Sequence, residues 1–245
     1  NHKEFSFGGT SGLDDPTQPI SATVADTMLY SSAPFADTGP VKHQTITFNA
    51  AAVGRIVLFG AGVSGFQGPS QLNLSTTGTK TMPATPLTTQ GNFTMSGTAS
   101  ATAAAALTVN GNFTLGSGTT FGAASFSHIV RGNFSNSGTF TAGTSTFTLN
   151  GTGTQTIGGS NPTTFNNLTI ANASGVVLSG VNTTVNGILT FTAGNVTTGP
   201  SQFIATSATG NVSRTSGHVV GNLQKFVATG ATTLTYEIGD SGAYT

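Results

Sequence analysis

Gly91-Asn92-Phe93-Thr94, Gly111-Asn112-Phe113-Thr114 and Gly132-Asn133-Phe134-Ser135 are three versions of one phrase, spaced by 20 and then 21 residues. A looser series continues it through Leu149-Asn150-Gly151, Asn167-Leu168-Thr169-Ile170, Val185-Asn186-Gly187-Ile188-Leu189, Gly210-Asn211-Val212 and Gly221-Asn222-Leu223. Self-similarity at an interval of this size means one supersecondary unit stacked many times. Inside each unit the period is two. Thr139-Phe140-Thr141-Ala142, Thr146-Phe147-Thr148-Leu149 and Thr190-Phe191-Thr192-Ala193 alternate apolar and polar side chains, as does Asn167-Leu168-Thr169-Ile170. That is the pattern of a strand with one buried and one wet face. Gly, Asn and Ser gather between the runs and supply corners. The four-residue run Ala103 to Ala106 is too short for a helix.

Two all-β architectures fit. In a β-solenoid, parallel-β-helix-like, each ~20-residue coil supplies two or three short strands that stack on the next coil. In an antiparallel β-sandwich, Asn110-Gly111, Asn150-Gly151 and Asn186-Gly187 would form type I′ hairpin turns. The regular interval and the shortage of charge favour the solenoid, because stacked copies set like charges against one another. The expected core ladder is Phe93, Phe113, Phe134, Phe140, Phe147, Leu149, Leu168, Ile170, Leu189 and Phe191. The expected corners use Asn92, Asn112, Asn133, Asn150 and Asn186 with Gly111, Gly132, Gly151 and Gly187. About seven to nine coils at ~4.8 Å each would make a rod roughly 35–45 Å long.

The flanks read differently. Residues 1–40 are expected to form an extended N-terminal arm or cap, and 41–90 a strand-rich cap region. Residues 91–232 are the solenoid repeats, and 233–245 the start of a C-terminal β module. Seven of the nine prolines lie before residue 90. Thr45-Ile46-Thr47-Phe48, Arg55-Ile56-Val57-Leu58-Phe59 and Leu234-Thr235-Tyr236-Glu237-Ile238 read as strands, the second fully buried, and Asp240-Ser241-Gly242 as a turn. An exposed solenoid edge recruits other chains. Phe5, Ser6 and Phe7 alternate as a strand donated to a neighbouring subunit would.

Charged residues are 6% of the chain, against about 25% in average soluble domains. The net charge is zero, and Lys3, Lys42, Arg55, Lys80, Arg131, Arg214 and Lys225 are scattered. No nucleic-acid partner is expected. Such neutrality also removes the repulsion that opposes self-association. No stretch approaches the ~20 apolar residues of a membrane span.

Between Asp37 and Glu237 there is no carboxylate, and the chain has no Cys or Trp. Most acid/base chemistry and hard-metal binding needs carboxylates, so an enzyme is not expected. No cofactor is expected either. His2, His43, His128 and His218 lack metal-ligand spacing, and Gly60-Ala61-Gly62 lacks the remainder of a phosphate loop. Sequons at Asn73, Asn92, Asn112, Asn133, Asn150, Asn167, Asn172, Asn182, Asn195 and Asn211 could carry glycans. Composition and corner-forming Asn account for most of them. Thr-x-Thr triplets recur at 45–47, 139–141, 146–148, 152–154 and 190–192. They suit either an ordinary solvated strand face or an ice-binding one.

The runs Gly132-Asn133-Phe134-Ser135-Asn136-Ser137-Gly138-Thr139-Phe140 and Leu149-Asn150-Gly151-Thr152-Gly153-Thr154-Gln155-Thr156-Ile157 add a resemblance. With Phe165-Asn166-Asn167-Leu168-Thr169-Ile170, Ser213 to Lys225 and Tyr236-Glu237-Ile238-Gly239-Asp240, they resemble large surface proteins of the Bacteroidetes–Chlorobi group, typically exported by the type IX secretion system. The resemblance covers roughly residues 90–245. It implies a β-helical repeat leading into a β-sandwich, and secretion to the cell surface or beyond. It brings no catalytic residues.

The expectation is therefore an extracellular structural protein. It would be a subunit of a surface filament or sheath, or the stalk of an adhesin, assembling with itself by strand donation or head-to-tail stacking. The alternative is a non-catalytic module that binds surface glycans or ice.

Overall fold

The computed structural model describes residues 71–208, 210–230 and 233–245, together with the backbones of strands Lys3–Ser6, Ile20–Ala22, Thr27–Ser31, Thr45–Phe48 and Gly54–Phe59. Every described element is a strand, and the sheets are parallel. Phe93–Met95, Thr98–Thr102 and Leu107–Val109 make one coil, and Phe113–Leu115 opens the next. Successive coils stack in register: Phe113 pairs with Phe93, Ser100 with Thr120, and Leu107 with Leu87. The molecule is a three-sided β-solenoid. Its faces are called B (the Phe93 strand), A (the Thr98 strand) and C (the Leu107 strand).

The hairpin alternative is thereby overturned. Asn110-Gly111, Asn150-Gly151 and Asn186-Gly187 lie between strands that pair with other coils, not with each other. None of Gly111, Gly151 or Gly187 has the positive φ that a type I′ turn needs.

The B face runs without a break through the described coils, from Gln71–Leu74 to Ile238–Gly239. Those nine strands occupy about 38 Å at ~4.8 Å per step. The coil path already exists at Gln71–Leu74, Thr77–Thr81 and Leu87–Thr89, ahead of the boundary expected at residue 91. Strands Thr45–Phe48 and Gly54–Phe59 also join the B and A sheets in parallel. Thr45–Phe48 has the bounds its alternation predicts. The burial expected for 55–59 lies outside the described side chains.

Face A ends at Thr139–Thr141. A new four-stranded sheet, face D, takes over at Thr163–Phe165 and continues through Thr183–Val185, Ile204–Thr206 and Leu223–Gln224. The change of face coincides with a longer coil. Phe134 pairs with Ile157, 23 residues on, where the three B-face steps just before it take 20 or 21. Buried Asn136 spans the junction, donating to the Pro162 carbonyl at 3.4 Å and to Thr163 Oγ1 at 3.3 Å.

The core follows from the period of two. Three-residue strands such as Phe93–Met95, Phe113–Leu115 and Leu107–Val109 turn their outer residues inward. Phe93, Phe113 and Phe134 stack nearly parallel, with centroids 4.9 and 5.0 Å apart. Phe147 and Phe165 meet this column edge-on and lie tilted against each other. The expected ladder residues Leu149, Leu168, Ile170, Leu189 and Phe191 are fully buried. Phe140 is only partly buried, and it packs against the core from the last A-face strand.

The C-terminal strand expected over 234–238 is reduced to Ile238–Gly239, which pairs in parallel with Val219–Val220. Leu234 and Tyr236 are exposed and belong to no described strand. Within residues 233–245, expected to open a further β module, Ile238–Gly239 is one more B-face strand. The expected turn forms: Asp240 Oδ1 accepts the N–H groups of Gly242 and Ala243, both at 2.7 Å.

Candidate functional site

Corners are where a solenoid's backbone ladder is interrupted, and here asparagine side chains carry it across. Asn92 Oδ1 accepts the N–H of Asn112 at 2.8 Å, Asn112 Oδ1 that of Asn133, and Asn133 Oδ1 that of Thr156. The glycine before each Asn makes room. A Cβ on Gly111 would lie 2.5 Å from Asn92 Oδ1, and one on Gly132 2.5 Å from Asn112 Oδ1. The Gly-Asn-Phe phrase is thus one unit: glycine clears the corner, asparagine bridges coils and phenylalanine fills the core.

Asn167, Asn182 and Asn195 continue the device, accepting from Ile188, Phe203 and His218. Gly187 clears Asn167 in the same way. Asn150 does not join this ladder. Asn150 Oδ1 is buried without a hydrogen-bond partner, and the Asn186 backbone is held by Phe165 and Ser207. A Cβ on Gly151 would meet the Arg131 carbonyl. Among the sequons, Asn172 is fully buried, with Nδ2 donating to the Gly153 carbonyl at 2.7 Å and to Gln155 Oε1 at 3.0 Å.

His128 belongs to the core. Its Nδ1 accepts the Leu107 N–H at 3.1 Å, which leaves Nε2–H to donate to the Ala123 carbonyl at 2.9 Å. The ring packs on Phe147 with centroids 4.8 Å apart. Burial pushes its pKa below the usual 6.5 and outweighs the raising effect of the Ala123 bond. His128 is a neutral structural group. Among the described residues no three His, Asp or Glu side chains gather to hold a metal.

The described acids lie on the last coil. Glu237 pairs with Lys225 at 2.7 Å, each side chain 10% exposed, and Lys225 also donates to the Thr235 carbonyl. His218 Nε2–H donates to the Asp240 carbonyl at 2.7 Å, and Arg214 lies 3.8 Å over the Tyr244 ring. Two backbone N–H groups hold the Asp240 carboxyl below its ordinary range. These contacts tie residues 235–245 onto the coil beneath, and each polar group in them is spent on another part of the chain.

The most regular exposed surface is face A. Thr77–Thr81, Thr98–Thr102, Thr120–Gly122 and Thr139–Thr141 lie side by side in register. One outward column is Thr79, Ser100, Thr120 and Thr139; a second is Thr81, Thr102, Gly122 and Thr141. All of the threonines in these columns are exposed, and Ser100 and Gly122 are half-exposed. Beneath them Lys80, Ala99, Ala101 and Phe121 are buried. Lys80 is held inward by the Thr77 carbonyl at 2.9 Å, and burial lowers its pKa.

Of the triplets noted in the sequence, only 139–141 falls on this array. Triplets 146–148 and 190–192 lie on face C and 152–154 at a corner, while the side chains of 45–47 lie outside the described residues. Face C carries a column of Thr88, Thr108, Ile129, Thr148, Thr169 and Thr190, broken by the isoleucine, and beside it a mixed column that includes Ser127, Thr146 and Asn167. The two-column array is spelled by Thr77-Gly78-Thr79-Lys80-Thr81 and Thr98-Ala99-Ser100-Ala101-Thr102.

The candidate donor strand is placed in part. Phe5 and Ser6 fall in Lys3–Ser6, which pairs in parallel with Thr27–Ser31 of the same chain, and Phe7 lies outside the described residues. No family model, curated protein or solved structure matches this chain, and its architecture and surface chemistry are the grounds for assigning it a role.

Proposed function

We propose that this chain is an extracellular structural protein, a rigid rod that serves as a stalk or as the repeating subunit of a surface filament. The observation that carries this reading is the unbroken B-face ladder, bridged at its corners by Asn92, Asn112 and Asn133. In such a stack each coil is held by both neighbours, so stability grows with length and internal coils resist opening. The described surface, poor in charge, supports assembly by end-to-end contact. So does the outer edge formed by Asn211–Arg214 and Leu223–Gln224, each paired on one side only among the described residues, whereas Ile238–Gly239 is bridged on its other side by Tyr244 and Thr245. A head-to-tail contact of this kind is heterologous and gives an open fibre. Because Lys3–Ser6 already has a partner within the chain, stacking of ends is the preferred route over strand donation.

Electron microscopy and sedimentation of the purified chain test this. Fibres about one coil in cross-section, or concentration-dependent end-to-end oligomers, are the expected result. A strictly monomeric chain at every concentration would remove the filament reading. Unfolding under pulling force at no higher load than a helical domain would remove the stalk as well.

A further inference from the structure

We propose that face A binds ordered water at the surface of ice. This activity is separate from the rod's assembly. The two outward columns of face A form a two-dimensional lattice: ~4.8 Å between strands and ~6.6 Å between alternate residues along a strand. Each threonine presents a hydroxyl and a methyl, and β-branching leaves its side chain few rotamers. The array is therefore arranged before any water arrives, and little ordering cost remains on binding. One hydroxyl–water contact is weak. Many made at once by a rigid surface act together, because each after the first is intramolecular.

The chemistry of the face also excludes competitors. The cation within these strands, Lys80, is buried and turned inward, so no ammonium hydration shell interrupts the lattice there. Sugar-binding surfaces commonly use an aromatic platform, but Phe121 is buried and Phe140 is packed against the core. Face C lacks the property. One outward column is broken by Ile129, the column beside it mixes Ser127, Thr146, Asn167 and exposed Ile188, and exposed Arg131 lies next to it.

The test uses the full chain and two variants, Thr102→Tyr in the middle of face A and Thr169→Tyr on face C. Both sites face outward on strands where Tyr is well accommodated, and thermal melts check that each variant is folded. The readouts are partition of the labelled protein into a growing ice front, and thermal hysteresis. The expected result is enrichment of the native chain and Thr169→Tyr in the ice, with measurable hysteresis. Thr102→Tyr should lose most of both. The proposal is overturned if the native chain is excluded from ice like an ordinary protein, or if the two variants behave alike. Retention on crystalline chitin or cellulose without any effect on ice would also overturn it, and would assign face A to glycans.

Discussion

Asn112 Oδ1 accepts the backbone N–H of Asn133 at 2.8 Å, 21 residues away in sequence and one coil away in space. The bond replaces, at a corner, what the strand ladder supplies elsewhere. Asn112→Ala should cost about 1 kcal/mol, because the Asn133 N–H sits at an exposed corner where water can take over. Chemical denaturation of native and variant chains measures it.

Gly132→Ala should cost more, about 1–3 kcal/mol. The added methyl would meet the Gly111 backbone as well as Asn112 Oδ1, each at 2.5 Å, and the backbone cannot swing aside. The double variant with Asn112→Ala should not recover the loss, since the backbone clash survives. Full recovery in denaturation midpoints would show that the side chain alone sets the requirement.

Phe113 touches Phe93, Phe121, Phe134 and Phe147. Phe113→Ala should cost about 3–5 kcal/mol through lost burial and the cavity left behind. Phe113→Leu should cost much less. Hydrogen exchange should show the loss concentrated in the coils that contain Phe93 and Phe134, because contacts in a stack run between neighbours.

His128 predicts a pH dependence. Its folded-state pKa lies below the 6.5 of a free imidazole, so the unfolded chain binds a proton first as the pH falls. The stabilisation is complete above about 6.5 and declines as pH drops from there through the folded-state pKa. His128→Phe should remove this dependence. It should also cost about 1–3 kcal/mol at neutral pH, because the buried Leu107 N–H loses its acceptor. Denaturation midpoints across the acid range, native against variant, give both quantities.

Lys225→Ala should loosen residues 235–245, since Lys225 holds both the Thr235 carbonyl and the Glu237 carboxylate. Limited proteolysis should then cut this segment faster, while the thermal transition of the preceding coils stays in place. Unchanged cleavage would mean that Ile238–Gly239 is held by its strand pairing alone.

The fold was legible wherever large apolar residues alternate with polar ones. Phe93, Phe113 and Phe134 set the coil length, and Thr45–Phe48 and Thr146–Leu149 appear with the bounds their alternation predicts. Face A was hard to read because Gly78, Lys80, Ala99 and Ala101 occupy its inward positions, and none of these is the bulky apolar signal of a strand. Its threonines were visible, but not their alignment across coils, which depends on register. Phe121 and Phe165 follow pairs of threonines outside the Gly-Asn phrase, which is why both are missing from the expected ladder. Over 234–238 alternation misled in the other direction, because a strand also needs a neighbour's edge along its length.

Repetition carries a hazard that a few unrepeated amides offset. Coils built on Phe93, Phe113 and Phe134 are nearly interchangeable, so a chain collapsing on itself could skip a turn and still bury its rings. Gln155 has no counterpart in those coils. Its side chain donates to the carbonyls of Val130 and Gly132 and accepts from Gly151 and Asn172. A slip by one turn would strand that buried amide among groups that cannot match it, at about 1–3 kcal/mol for each polar atom left unmatched. Gln155, with Asn136 and His128, thereby favours the one register in which each of these buried polar groups meets its partners.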